Sequence, residues 1–126
     1  MANVAVLLAP GFEEAEAIIT IDILRRLNIE VETLACAVAF PGGPQGSANL
    51  AASAGVLRFI AAHDEAGRII APICSAAARV LGGNGLLKGR RYVCSGDLWQ
   101  AVQDGVYVDA PVVEDGNLIS GKGLGH

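Results

Sequence analysis

The chain has 126 residues, 52% apolar and only 17% charged, which suits one domain with a packed core. Nine Lys and Arg stand against 13 Asp and Glu, a net charge of −4 with no basic cluster beyond a pair, and this argues against a nucleic-acid partner. The start, MANVAVLLAPGFEE, has no basic leader region and too short an apolar run to cross a membrane, and the three cysteines (Cys36, Cys74, Cys94) are too few and too scattered for a disulfide framework or a zinc site. A reducing, cytoplasmic location is the expectation, with no membrane and no metal.

In chain order, NVAVLLA (3–9) is a continuous apolar run of the kind found in strands buried on both faces, closed by Pro10 and Gly11. EEAEAIITIDILRRL (13–27) follows at helical spacing, with acids in its first turn and Arg25-Arg26 near its end, an order that suits the helix dipole. IEVETLAC (29–36) reads as a second strand and AVAF (37–40) as a third. ANLAASAGVLRFIAAHDEAG (48–67) reads as helical, RIIAPI (68–73) as a strand, and SAAARVLGGNGLL (75–87) as a helix ended by glycines. RYVCS, VYVDAPVVE and NLISG give short late strands around an Asp115-Gly116 turn. Alternating strands and helices predict a doubly wound, mostly parallel sheet in a single domain, residues 1–126.

One stretch resists this scheme. Residues 29–40 run without Gly, Pro, Asn or Asp. As one strand they exceed the usual length of about 3–10 residues, and as two parallel strands they lack the crossover of about a dozen residues that such a pair needs. The chain also stops at GKGLGH, where a glycine-rich turn would feed a helix, and holds about three substantial helices for a sheet that needs cover on both faces. The expectation is therefore a chain lacking a segment near Cys36-Ala37 and the helices after His126.

The chemistry centres on Cys74, where RIIAPI gives way to a helix. A thiol there sits beside the first unpaired N–H groups of the helix, which together with the dipole favour the thiolate. Ser75, Ala76 and Ala77 leave room for a sharp turn, the logic of a nucleophile elbow with Cys in place of Ser. A buried structural cysteine is the plainer alternative for a thiol. In FPGGPQGSANL (40–50), two glycines after a strand let the backbone approach a ligand and offer N–H donors to an oxyanion, although most such runs are ordinary turns. Glu13, Glu14 and Glu16 crowd the start of the first helix, where the dipole alone accounts for most of them.

Taken together, LLAPGFEEAEAIITIDILRR, FPGGPQGSANL, IIAPICSAAARVL and VVEDGNLISGKGLG occur in the order found in the ThiJ/PfpI superfamily and resemble most closely the branch of the Parkinsonism-associated deglycase and its bacterial relatives. The resemblance spans nearly the whole chain. It implies a flavodoxin-like α/β sandwich with helices on both faces, of the class I glutamine-amidotransferase-like group, usually homodimeric. It implies Cys74 as the elbow nucleophile and Glu16 as the carboxyl bonded to its sulfur. It also implies the backbone N–H groups of Gly43 and Ser75 as the oxyanion site. Where many members carry a histidine partner for the cysteine, this chain has Ser95. His63 lies in a polar helix end and reads as solvated, and His126 follows the last glycines. GNLISGKG nearly matches a phosphate loop, but Gly123 stands where Ser or Thr would bind magnesium.

The expected function is a cofactor-independent cysteine enzyme acting on small reactive carbonyls, of the deglycase or glyoxalase type. The alternatives are an oxidative-stress sensor or chaperone of the same family, and an inactive truncated member. The apolar circumference of the first helix (Ile18, Ile19, Ile21, Ile23, Leu24) suggests a homodimer built on it.

Overall fold

The computed structural model describes residues 3–7, 20, 30–31 and 36–123. The first helix of the sequence reading, including Glu16, lies outside them apart from Thr20, which is helical. So does everything beyond Gly123, including His126.

Among the described residues, six strands form one sheet in the order β2-β1-β3-β4-β8-β7. These are β1 (Asn3–Val6), β2 (Glu30–Val31), β3 (Ala37–Phe40), β4 (Ile69–Pro72), β7 (Val112–Asp115) and β8 (Leu118–Gly121). All neighbours are parallel except β7, which pairs antiparallel with β8 through a tight hairpin at Gly116, φ 59°. A small second sheet pairs β5 (Arg91–Tyr92) with β6 (Val106–Tyr107), also parallel. This is the mostly parallel α/β sheet that the alternation predicts, in the flavodoxin-like arrangement that the resemblance implies.

The stretch 29–40 resolves into two strands, as the length argument requires. Val31 and Ala37 both pair with Val4, from opposite sides of β1. Both strands run parallel to β1, yet only residues 32–36 separate them, well short of the usual crossover.

The helical region read as one element is two. Helix α1 spans Pro44–Ala52 and α2 spans Ala54–Glu65, parted at Ser53, whose hydroxyl accepts the Val56 N–H at 3.2 Å and caps α2. Helix α1 starts earlier than expected, with Pro44 in its first turn, where a missing N–H costs nothing. The helix after Cys74 is irregular: a π-helical turn, Ala77–Leu81, runs into a 3-10 turn, Gly82–Asn84. Late in the chain VYVDAPVVE splits into β6 and β7, and a 3-10 turn at Leu98–Ala101 is an element the sequence reading lacked.

The described helices share one core. Val38, Phe40, Ile70 and Leu118 from alternate sheet positions pack with Leu50, Ile60, Ala76, Ala77, Val80 and Leu81. Burying such side chains contributes roughly 1.5–3 kcal/mol each for the larger ones. The opposite face carries smaller residues, Ala37 and Ala39 with Val6 and Ala71. Among the described residues no helix is long and apolar enough to cross a membrane.

At the end of the sheet where β4 begins, Asp64 is almost fully enclosed. It takes two bonds of 3.0 Å from Arg90, an ion pair of 3.0 Å from Lys88, and 2.7 Å from Asn117 Nδ2. Burial pushes its carboxyl up, but the bonds from Arg90, Asn117 and Lys88 overrule that and hold it at about 2. Arg90 also donates to the Leu86 and Leu87 carbonyls, so the cluster ties α2 to the loop before β5 and to the β7–β8 turn.

Candidate active site

At the opposite end of the sheet the chain leaves β3 and β4 side by side. The Phe40–Pro72 pair closes their ladder, and one further bond, Ile73 N–H to Phe40 carbonyl at 3.1 Å, carries the pairing past the strand ends. The glycine loop therefore departs directly beside the elbow. In doubly wound sheets, ligands bind beyond the carboxyl ends of strands near the point where strand order reverses, here between β1 and β3.

Cys74 is half-buried and adopts φ 60°, in the left-handed region. Outside glycine that conformation costs about 1–3 kcal/mol and persists only where the surroundings impose it. They do so here. The Cys74 N–H donates to the Gly121 carbonyl at 2.8 Å, and its carbonyl accepts from the Ser95 N–H at 3.1 Å. Both backbone groups of the elbow are thus anchored, one on β8 and one just past β5, and the turn closes with Ala76 N–H on the Ile73 carbonyl at 3.1 Å. The elbow predicted from RIIAPICSAAARVL is present, strained and firmly held.

Gly43 sits at φ 93°, ψ 130°, immediately before Pro44, where a Cβ would be strained, and its carbonyl accepts the Ser47 N–H at 2.8 Å to open α1. Ser47, fully buried, bonds the buried Ser75 hydroxyl to hydroxyl at 2.8 Å. The structure therefore brings three predicted positions, Cys74, Gly43 and Ser75, into one corner; Glu16 lies outside the described residues. Ser95 is next to Cys74 through its backbone. Sequence reasoning missed Ser47, although a hydroxyl four residues after Gly43 was its available signal: on a helix opening there it lies one turn on, toward the same side.

The other thiols differ from Cys74. Cys94 is fully buried; burial pushes its thiol up to about 11, which the Trp99 backbone N–H only partly offsets and nearby Cys74 reinforces. Cys36, read from the sequence as the end of the second strand, is instead half-buried just before β3 and accepts from Arg68 Nη1 at 3.7 Å. The residue precedes the ladder, so the strand does not enclose it. His63 is not simply solvated. Its Nδ1 donates to the Phe59 carbonyl at 2.7 Å and its ring packs on Phe59 at 4.2 Å, at the end of α2 that leads into β4 and away from Cys74. A groove of about 560 Å³ between α1 and the helix after the elbow, lined by Ala48, Ala51, Ala78, Gly82 and Val102 among others, does not include Cys74.

Beside the elbow, Lys122 pairs with Asp109 at 2.8 Å, and Trp99 stacks on Tyr107 with ring centroids 5.0 Å apart. Lys122 directly follows Gly121, the residue that holds the Cys74 N–H. No group of three or more His, Cys, Asp or Glu suited to a metal occurs among the described residues.

Comparison with known proteins agrees with this fold. The model of the DJ-1/PfpI family matches residues 35–126. Protein dj-1beta of Drosophila melanogaster is 34% identical, over 95% of this chain and 80% of that one; its alignment runs to 151 positions, so it holds residues with no counterpart here. A crystal structure of a cysteine-to-alanine mutant of a DJ-1 superfamily protein from Salmonella typhimurium superposes with TM-score 0.97 and 63% identity, covering all of this chain and 84% of that one. Oxidized Toxoplasma gondii DJ-1 superposes with TM-score 0.91 and 25% identity, covering 98% of this chain and 83% of that one. On the family match and on this identity to dj-1beta, the chain belongs to the DJ-1/PfpI family.

Proposed function

We propose that the chain is a cysteine enzyme acting on small α-oxoaldehydes or their early adducts with amines and thiols. The observation that carries this reading is Cys74 held at φ 60° between β4 and the following helix, beside the Gly43 loop. The Cys74 thiolate adds to the aldehyde carbon, forming a C–S bond and an oxyanion. The Gly43 and Ser75 amides receive that oxyanion. Glu16 moves a proton from the former aldehyde carbon to its neighbour, which leaves a thioester that water cleaves to the hydroxy acid and the free thiol. The aldehyde carbon is oxidised as the adjacent ketone is reduced, so the conversion is redox-neutral and needs no electron carrier.

Turnover of methylglyoxal to lactate, followed by loss of the dicarbonyl and chiral assay of the product, tests the proposal. Wild type is expected to turn over and Cys74→Ser to lose at least about a thousandfold. Equal rates for the two would overturn it. A second reading has support of its own: the half-buried exposure of Cys74, and a relative whose structure is of an oxidized form. In that reading Cys74 is a peroxide sensor, and peroxide consumption without dicarbonyl turnover would favour it. A homodimer built on the helix that the sequence predicts over residues 13–27 belongs to either reading. Light scattering at micromolar concentration tests it, and a monomeric mass would remove it.

A further inference from the structure

Two segments that share no strand pairing beyond Ile73 must supply the two oxyanion donors, and their spacing has to be set by something. From Ile73 the chain runs through Cys74 to Ser75, while from Phe40 it runs through Gly43 to Ser47. The Ile73 N–H to Phe40 carbonyl bond joins these segments at one end, and the Ser47–Ser75 hydroxyl bond of 2.8 Å joins them at the other. The result is a closed ring that contains both Gly43 and Ser75. Around the elbow, the bonds from Gly121 and Ser95 are made by backbone, whereas the link toward α1 is made by side chains. Both hydroxyls lie in the interior, Ser47 at 0% and Ser75 at 4% exposure, where a hydroxyl bond is strong and competition from water is small.

We propose that Ser47 and Ser75 form a positioning pair that fixes the distance between the Gly43 and Ser75 amides; this rests on the reading of Cys74 as a nucleophile. Neither hydroxyl touches substrate. The pair acts through the backbone that it locks, and a donor displaced by a fraction of an ångström loses much of its hold on a developing charge.

The test is a double-mutant cycle of Ser47→Ala and Ser75→Ala, read by turnover and by stability together. Each single variant strands one buried hydroxyl and is expected to melt lower; the double variant removes both partners and recovers most of that loss. Methylglyoxal turnover is expected to fall about tenfold to a hundredfold in kcat in each single variant, with KM within about twofold, and to stay as low in the double. Alkylation of Cys74 by iodoacetamide stays at the wild-type rate, since the thiol itself is untouched. Amide hydrogen exchange across residues 42–47 and 73–76 becomes faster in all three. Recovery of kcat along with stability in the double variant would make the pair merely structural and overturn the proposal, as would unchanged exchange. If wild type turns over no dicarbonyl, the catalytic reading falls by itself, and exchange across the two segments alone decides whether the pair locks them.

Discussion

The two ends of the β4–β8 half of the sheet solve opposite problems. At the end where β4 begins, Asp64 is a buried charge with every neighbour turned toward it: Arg90, Lys88 and Asn117 all donate. At the other end, Cys74 is held by its backbone, through Gly121 and Ser95, while its side chain stays half-buried in a strained turn. A saturated carboxylate stabilises and does nothing further. The bonds to Gly121 and Ser95 anchor Cys74 by its main chain in a left-handed turn, a different way of holding a residue from the ion-paired carboxylate. The contrast is in how each group is held: a carboxylate by side-chain donors, an elbow by its backbone.

The largest expected effect separates the thiols. Brief alkylation at pH 6 with peptide mapping is expected to label Cys74 at least about a hundredfold faster than Cys94, whose thiol, pushed up to about 11, is almost wholly protonated there. Cys36 is expected to label between them. Equal labelling of all three in the folded protein would erase the contrast and leave Cys74 a structural residue.

Next in size is the cost of breaking the saturated end. Asp64→Asn is expected to lose about 3 kcal/mol of stability by urea unfolding, because Arg90 is left buried with its charge uncompensated, while turnover per folded molecule stays at the wild-type value. Loss of activity without loss of stability would show that the two ends are not separate. The same carboxyl sets an acid limit. Its folded value of about 2 lies below the ordinary 3.8, so its contribution, about 2 kcal/mol, is full above pH 4 and is lost as pH falls through about 2. Wild type should therefore show an acid-sensitive component of stability in that window that Asp64→Asn lacks.

The smallest effect sharpens the boundary between α1 and α2. Ser53→Ala removes the cap on Val56 and is expected to cost about 1 kcal/mol, seen as a melting shift of a few degrees with turnover unchanged. No shift would mean that the break between the helices is set by packing alone.

What could be read in the sequence followed from how local its signals are. Cys74 between RIIAPI and a run of small residues, and Gly42-Gly43 after AVAF, are strand-end signals carried by a few adjacent residues, and both stand where they were expected. The break at Ser53 was hidden because the flanking residues are mostly good helix formers, so periodicity runs across it and only one hydroxyl marks the interruption. Gly-Gly-Pro reads as a turn in the sequence, yet Pro44 opens a helix. The Asp64 cluster joins residues 26 and 53 positions apart, and such pairing has no local trace. Cys36 reads as the end of a strand yet only precedes β3, because an apolar neighbourhood in sequence does not fix where a ladder begins.

The left-handed backbone at Cys74 has a consequence for how this fold drifts. Glycine would occupy φ 60° without strain, so Cys74→Gly relieves a local cost of about 1 kcal/mol while removing the sulfur. On backbone strain alone, the turn prefers a residue without a sulfur. A lineage freed from the need for the thiol has a downhill substitution within reach at that one codon, and retention of cysteine there opposes the preference of the fold itself.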